Sequence, residues 1–111
     1  MSEELGKEET MSGISCDLEG TITHYGKGAV SIFQWQPEEV VGKQKVTIFH
    51  KKEQVNELVP RLLKTAAETG EFKEEVILVR KNGEEFKAVL AVRPIKREGQ
   101  IAGYVGMTKP L

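Results

Sequence analysis

Cysteine is almost missing: Cys16 is the single thiol in 111 residues. No internal disulfide, no multi-cysteine metal site and no Cys-x-x-Cys-His haem attachment can form from it. Aromatic residues make up only 6% of the chain, which leaves few rings to stack on a planar cofactor. Long hydrophobic runs are absent too. The longest are Val76–Val79 and Val89–Val92, far short of the roughly 20 residues of a membrane span. Met1-Ser2-Glu3-Glu4-Leu5 lacks the basic and apolar regions of a signal peptide. Nor does either charge dominate. Sixteen basic residues against seventeen acidic ones leave a formal net charge of −1, without the positive excess that non-specific nucleic-acid binding requires. These absences describe a cytoplasmic chain without structural metal, membrane span or nucleic-acid partner.

What is present fits one domain. A mass of 12.4 kDa supports one core, burying roughly two-thirds of the unfolded surface. Residues 1–11 stand apart: Glu3, Glu4, Glu8 and Glu9 against Lys7 give a local charge of −3. With so little to bury, they read as a flexible acidic tail, and residues 12–111 as the folded unit.

From Gly13 the pattern is short strands. Ile14-Ser15-Cys16 alternates apolar and polar, Asp17-Leu18-Glu19-Gly20 supplies a turn, and Thr21–Tyr25 is β-branched, which predicts a hairpin. Ala29–Phe33 has helical spacing. Pro37–Gly42 predicts a second short helix, with proline and two Glu in its first turn and glycine at its end. A loop spans Lys43–His50. Val55, Leu58, Val59, Leu62, Leu63 and Ala66 then form one apolar helical stripe closed by Thr69-Gly70, with Pro60 inside it predicting a bend or a non-helical first turn. Phe72–Arg80 and Glu84–Arg93 flank Asn82-Gly83, a strong hairpin signal, and a turn at Lys96–Gly99 leads into Ile101–Thr108. The order predicts an α+β fold with an antiparallel sheet.

At this point the residues resemble a family. Asp17–Thr23, Ala29, Ile32-Phe33 and Pro37–Lys43 are similar to the opening half of a PAS domain. Thr69–Phe72, Arg80–Glu84 and Gly103–Gly106 are similar to its closing half. The resemblance runs over nearly the whole chain. It implies a five-stranded antiparallel sheet flanked by short helices and one longer helix around a small internal cavity. It also implies a sensory or signalling role, through dimerisation, partner binding or a bound ligand. Two positions depart from the pattern: Gly26 stands where these domains usually carry Asn, and Gln34-Trp35 where a Gly-Tyr pair is common.

The family's cysteinyl-flavin and haem branches do not match these residues, while a non-covalent flavin or a small organic ligand stays open. Lys43–Phe49 has no cysteine for a flavin adduct, and Val55–Glu68 has no histidine for haem. The cofactor is therefore left unassigned. His24 and His50 read as surface or interface residues; as metal ligands or a pH switch they would have to converge with a carboxylate. Cys16 reads as a small buried hydrophobe, Asp17 as a turn former and Trp35 as a core plug. No residue is read as catalytic. No phosphate loop or serine elbow occurs, so a small enzyme on a similar fold is the weakest reading.

The candidate pocket residues are Ile14, Cys16, Ile22, Ile32, Phe33, Val41, Ile48, Leu58, Leu62, Leu78, Phe86, Leu90, Val105 and Met107. A pocket so lined selects a small apolar guest or closes. The strands are apolar on both faces, and the helices cover one. Ile77, Val79, Val89, Ala91, Ala102 and Tyr104 are therefore expected to form an outer patch that pairs with a second copy or a partner signalling protein. Lys109-Pro110-Leu111 reads as lying just past the last strand, so signalling is expected to pass to a partner in trans unless the chain is an excised fragment. A ligand-free interaction module is the alternative reading.

Overall fold

The computed structural model describes residues 12–111; the reading of residues 1–11 as a flexible tail lies outside them. Strands β1 (Ser12–Asp17) and β2 (Ile22–Tyr25) form the opening hairpin. Asp17 builds its turn: the carboxylate accepts from the backbone N–H groups of Glu19 at 2.9 Å and Thr21 at 3.0 Å. Two short helices follow, α1 (Lys27–Phe33) and α2 (Pro37–Val40). Helix α2 starts in a capping box, with the Gln36 N–H donating to Glu39 Oε1 at 2.8 Å.

Where the sequence predicts only a loop, Val46–Phe49 makes one 3₁₀ turn. The long helix α3 (Lys52–Thr69) comes next and ends at Gly70, whose φ is +91°. It also runs on through Pro60, so the predicted bend or non-helical start is not needed. Pro60 and Asn56 are both exposed. Water can therefore serve the Asn56 carbonyl that proline leaves without an N–H partner. Leu58, Leu62 and Ala66 from the predicted stripe are buried.

Strands β3 (Phe72–Val79), β4 (Glu85–Arg97) and β5 (Gln100–Pro110) complete an antiparallel sheet of order β2-β1-β5-β4-β3. Chain order thus places the first and last strands side by side at the centre. The free side of β2 is closed by backbone bonds: Ile22 N–H to the Gln44 carbonyl at 2.9 Å, and Gly42 N–H to the Ile22 carbonyl at 2.8 Å. At the other edge, His50 forms an isolated bridge to Leu78 of β3.

All helices with buried side chains pack on one face of the sheet, and the core lies between them. Phe33, Phe72, Ile22, Leu78 and Val40 are its largest fully buried side chains. Gly26 stands at the end of β2, and the tie from this strand to α1 comes from another residue. The Tyr25 hydroxyl donates to the Ala29 carbonyl at 2.9 Å and ties β2 to α1. The Gly26 N–H donates to the Gly13 carbonyl at 3.1 Å.

The facing of β5 is the reverse of the expectation. Register pairs Leu90 with Thr108, Val92 with Gly106 and Cys16 with Tyr104, so these even-numbered β5 residues face the core. Ala91 pairs with Met107, and Ser15 with Val105, on the outer face. Directly opposed residues in an antiparallel pair share a face. Tyr104 therefore points inward, while Val105 and Met107 point outward. Ala102 leaves the flat face altogether. The register steps from Ile95–Gly103 to Lys96–Ile101 and leaves it as the extra residue of a bulge.

Candidate functional site

Between the inner sheet face and the helices lies a cavity of about 60 Å³. The sheet supplies Ile14 and Cys16 from β1, Leu78 from β3, Leu90 and Val92 from β4, and Tyr104, Gly106 and Thr108 from β5. The helical side supplies Phe33, Val46, Phe49, His50, Leu62 and Leu63. The wall is apolar apart from a thiol, an imidazole and two hydroxyls. It carries no charged side chain.

Six pocket candidates line this cavity: Ile14, Cys16, Phe33, Leu62, Leu78 and Leu90. The other eight lie elsewhere. Ile22 and Ile32 are buried in the core but not in the wall. Leu58 faces a separate groove between α3 and β3, and Ile48 a surface groove beside the 3₁₀ turn. Phe86 packs with its ring centroid 5.7 Å from that of Phe33 and carries the Arg80 guanidinium at 4.2 Å. Val41 is 37% exposed, because it caps the short helix α2 at its surface end. Val105 and Met107 are on the outer face, and Met107 is 41% exposed.

Several wall residues escaped the sequence reading. Val92 shares the face of Leu90 and could have been found by alternation alone. Tyr104, Gly106 and Thr108 needed the facing of β5, and one signal for it was available: Lys109 has the parity of Val105 and Met107, and a lysine marks the wet side. Val46, Phe49 and His50 sit on the 3₁₀ turn or its end, where no periodicity reports orientation.

His50 is the largest departure. The sequence places it at the surface, yet it is 9% exposed and lines the cavity. Its Nδ1 has no hydrogen-bond partner among the described residues. Burial lowers its pKa to about 4, so the imidazole is neutral at physiological pH. Burial likewise pushes the Cys16 thiol up, helped slightly by the Asp17 charge and opposed by a hydrogen bond with the Tyr104 backbone. A thiol kept protonated is a poor nucleophile, and the unpartnered His50 Nδ1 does not activate it. His24 is exposed and pairs with Ser15 on the outer face, so the two histidines do not converge. No group of three or more metal-ligating side chains gathers among the described residues. This arrangement can hold and orient a guest. It does not assemble an acid–base or nucleophilic site.

On the outer face, Ile77, Val79, Val89 and Ala91 stand where the sequence puts them, each half-buried. Val105 and Met107 take the places expected for Ala102 and Tyr104. Exposed Lys73, Glu75, Lys87, Arg93 and Lys109 share this face and frame the apolar strip.

A family profile described as PAS domain matches residues 9–109. The chain belongs to the PAS domain family. A PAS domain of a protein from Colwellia psychrerythraea has the same fold. The TM-score is 0.88 at 19% identity, with 99% of this chain and 96% of that one covered. The PAS domain of a LuxR-family transcriptional regulator from Burkholderia thailandensis, solved in complex with ethanol, matches at TM-score 0.74 and 16% identity, covering 91% of this chain and 88% of that one. The blue-light activated histidine kinase of Erythrobacter litoralis matches at TM-score 0.79 and 17% identity, covering 100% of this chain but 36% of the kinase. No curated protein matches the sequence. These likenesses establish the PAS fold, and no helix among the described residues is long and apolar enough to cross a membrane.

A flavin fits this PAS domain poorly. Cavities that hold drug-sized ligands measure roughly 300–1,000 Å³, whereas this one measures about 60 Å³. The stretch Lys43–Phe49 also lacks a thiol. Helix α3 contains no histidine to ligate haem.

Proposed function

We propose that this PAS domain is a sensory or signalling module in the cytoplasm. It takes a small, mostly apolar ligand into the cavity under the sheet and passes its state on by dimerisation or partner binding. The observation that carries the reading is the wall itself: fourteen residues, none charged, around a space of about 60 Å³. Interiors pack so closely that voids larger than a water molecule are few, and an apolar one is a binding site for a small apolar guest. The ethanol complex of the Burkholderia thailandensis domain supports a guest of that size.

A second reading, a ligand-free interaction module, is favoured by the outer face. Val89, Ala91, Val105, Met107 and Ile77 form an apolar strip that no described helix covers. Contiguous apolar surface with a polar rim marks an interaction site. A second copy of this chain or a partner signalling domain would bury it.

Native mass spectrometry of the freshly purified full chain separates the two. A mass above that of the chain supports the sensor and weighs the ligand. A bare dimer supports the interaction module. A bare monomer at micromolar concentration counts against both.

A further inference from the structure

His50 belongs to two spaces at once. It lines the internal cavity and also a surface groove of about 650 Å³ beside the 3₁₀ turn and the start of α3. Its backbone holds it there: the N–H donates to the Thr47 carbonyl at 3.2 Å, and a bridge joins it to Leu78 on the edge of the sheet. The residue thus borders both the cavity and the groove. A buried imidazole nitrogen without a partner is costly in a native structure and calls for a reason.

We propose that this cavity takes a short neutral alcohol, of about two to four non-hydrogen atoms, whose hydroxyl hydrogen-bonds to Nδ1 of His50. This inference rests on the reading of the cavity as a ligand site and names the class of ligand. Three observations support it. The wall has no charge, so a carboxylate or an ammonium would be buried without a counter-ion. Size sets the length: a cavity of roughly 150 Å³ accepts benzene, and this one measures about 60 Å³. The third is the chemistry of the orphaned nitrogen. His50 is neutral here, so Nδ1 either donates or accepts according to tautomer. A hydroxyl does both and satisfies it in either state. A ketone or an ether only accepts, and serves one tautomer.

The test uses the full chain, labelled with ¹⁵N and with ¹³C at methyl groups, and two probes. Xenon reports the cavity alone, and 1-propanol reports the cavity together with the hydrogen bond. Xenon is expected to shift the methyl resonances of Leu62, Leu78 and Leu90. 1-Propanol is expected to shift the same methyls and also the imidazole ¹⁵N resonance of His50 Nδ1. His50→Leu, apolar and similar in volume, is expected to keep xenon binding and to bind 1-propanol about tenfold more weakly. His50→Gln, which restores a polar group, is expected to recover part of that loss.

Failure of xenon to shift the methyls overturns the ligand-site reading and the proposal with it. Xenon binding without a 1-propanol shift at His50 overturns the alcohol proposal and leaves the cavity reading standing. Equal 1-propanol affinity in His50→Leu and the parent does the same. An Nδ1 resonance already at a hydrogen-bonded position and unmoved by 1-propanol assigns that nitrogen to a resident water and also overturns the proposal. The measurements on the parent chain need no variant to fold.

Discussion

The two faces of the sheet use nearly the same residue types to opposite ends. Leu90 and Val92 on β4 are buried against the helices, while Val89 and Ala91, which alternate with them, look out from the other side. The inner face surrounds a cavity and a neutral histidine; the outer face carries an apolar strip framed by Lys73, Glu75, Lys87, Arg93 and Lys109. The difference lies in the partner each face meets and not in its hydrophobicity. An apolar side chain contributes stability only when something covers it. The inner face is covered by the helices of the chain, whereas no described helix covers the outer strip.

That contrast can be broken most sharply where strands touch. A Cβ at Gly103 would lie 2.2 Å from the Cys16 carbonyl oxygen, so β1 and β5 would have to separate. Gly103→Ala is expected to destabilise the fold by about 4 kcal/mol, read as a drop in the urea midpoint; a loss under about 1 kcal/mol would mean the central strands are not this close. Next comes the neighbouring pair on β4. Leu90→Ala is expected to cost about 3 kcal/mol, and Val89→Ala under about 1 kcal/mol in the monomer. Similar losses at both sites would erase the distinction between the faces.

Acid is a milder probe of the inner face. The unfolded chain protonates His50 near 6.5, but the folded state resists until about 4. The unfolded state therefore binds more protons between those values, and stability must fall as pH drops through this window. The shift of His50 predicts a loss of about 3 kcal/mol in all, complete above pH 6.5 in its stabilising effect and exhausted below about 4. Chemical denaturation from pH 7 to 4 checks it. His50→Leu should flatten that part of the profile, and a parent profile already flat between those values would place the imidazole in water.

Gln34 gives a smaller effect away from both faces. It caps α1 with φ +71°, a left-handed geometry that favours glycine. Gln34→Gly is expected to raise stability by about 1 kcal/mol, measured by thermal melting; a decrease would show that the Gln side chain contributes more than the backbone strain removes. The smallest effect on folding is expected on the outer strip. Met107→Lys should change monomer stability by under about 0.5 kcal/mol, while sedimentation velocity shows any dimer of the parent dissociating. A dimer that survives Met107→Lys and Val89→Lys alike would move the interface elsewhere.

Much of the fold was legible because its signals are local. Asp17 and Gly20 make the first turn, Pro37 opens a helix, Gly70 closes another, and Asn82-Gly83 turns the hairpin. The departure from Gly-Tyr at Gln34-Trp35 marks the one helix end among the described residues where a non-glycine residue takes a positive φ. The cavity was legible only in part. Alternation reports that neighbouring residues face opposite ways, but it does not say which way is in. On β4 the charged neighbours Lys87 and Arg93 break the tie correctly. On β5 both parities are apolar from Ile101 to Met107, and only Lys109 carried the answer.

By itself, then, the sequence determined the order of the strands and α-helices, the turns, the helical stripe, the exclusion of an internal disulfide and a multi-cysteine metal site, and the lack of an apolar run long enough for a membrane-spanning helix, since each depends on residues close along the chain or on simple counts. The tertiary structure alone decided three things. It set the facing of β5, because register against β1 and β4 aligns Thr108 with Leu90 and Tyr104 with Cys16. It left no room for a Cβ at Gly103, because a carbonyl from a strand some ninety residues earlier lies where that atom would sit. And it buried His50, because the 3₁₀ turn and the edge of β3 meet there, and burial depends on what a residue meets in space.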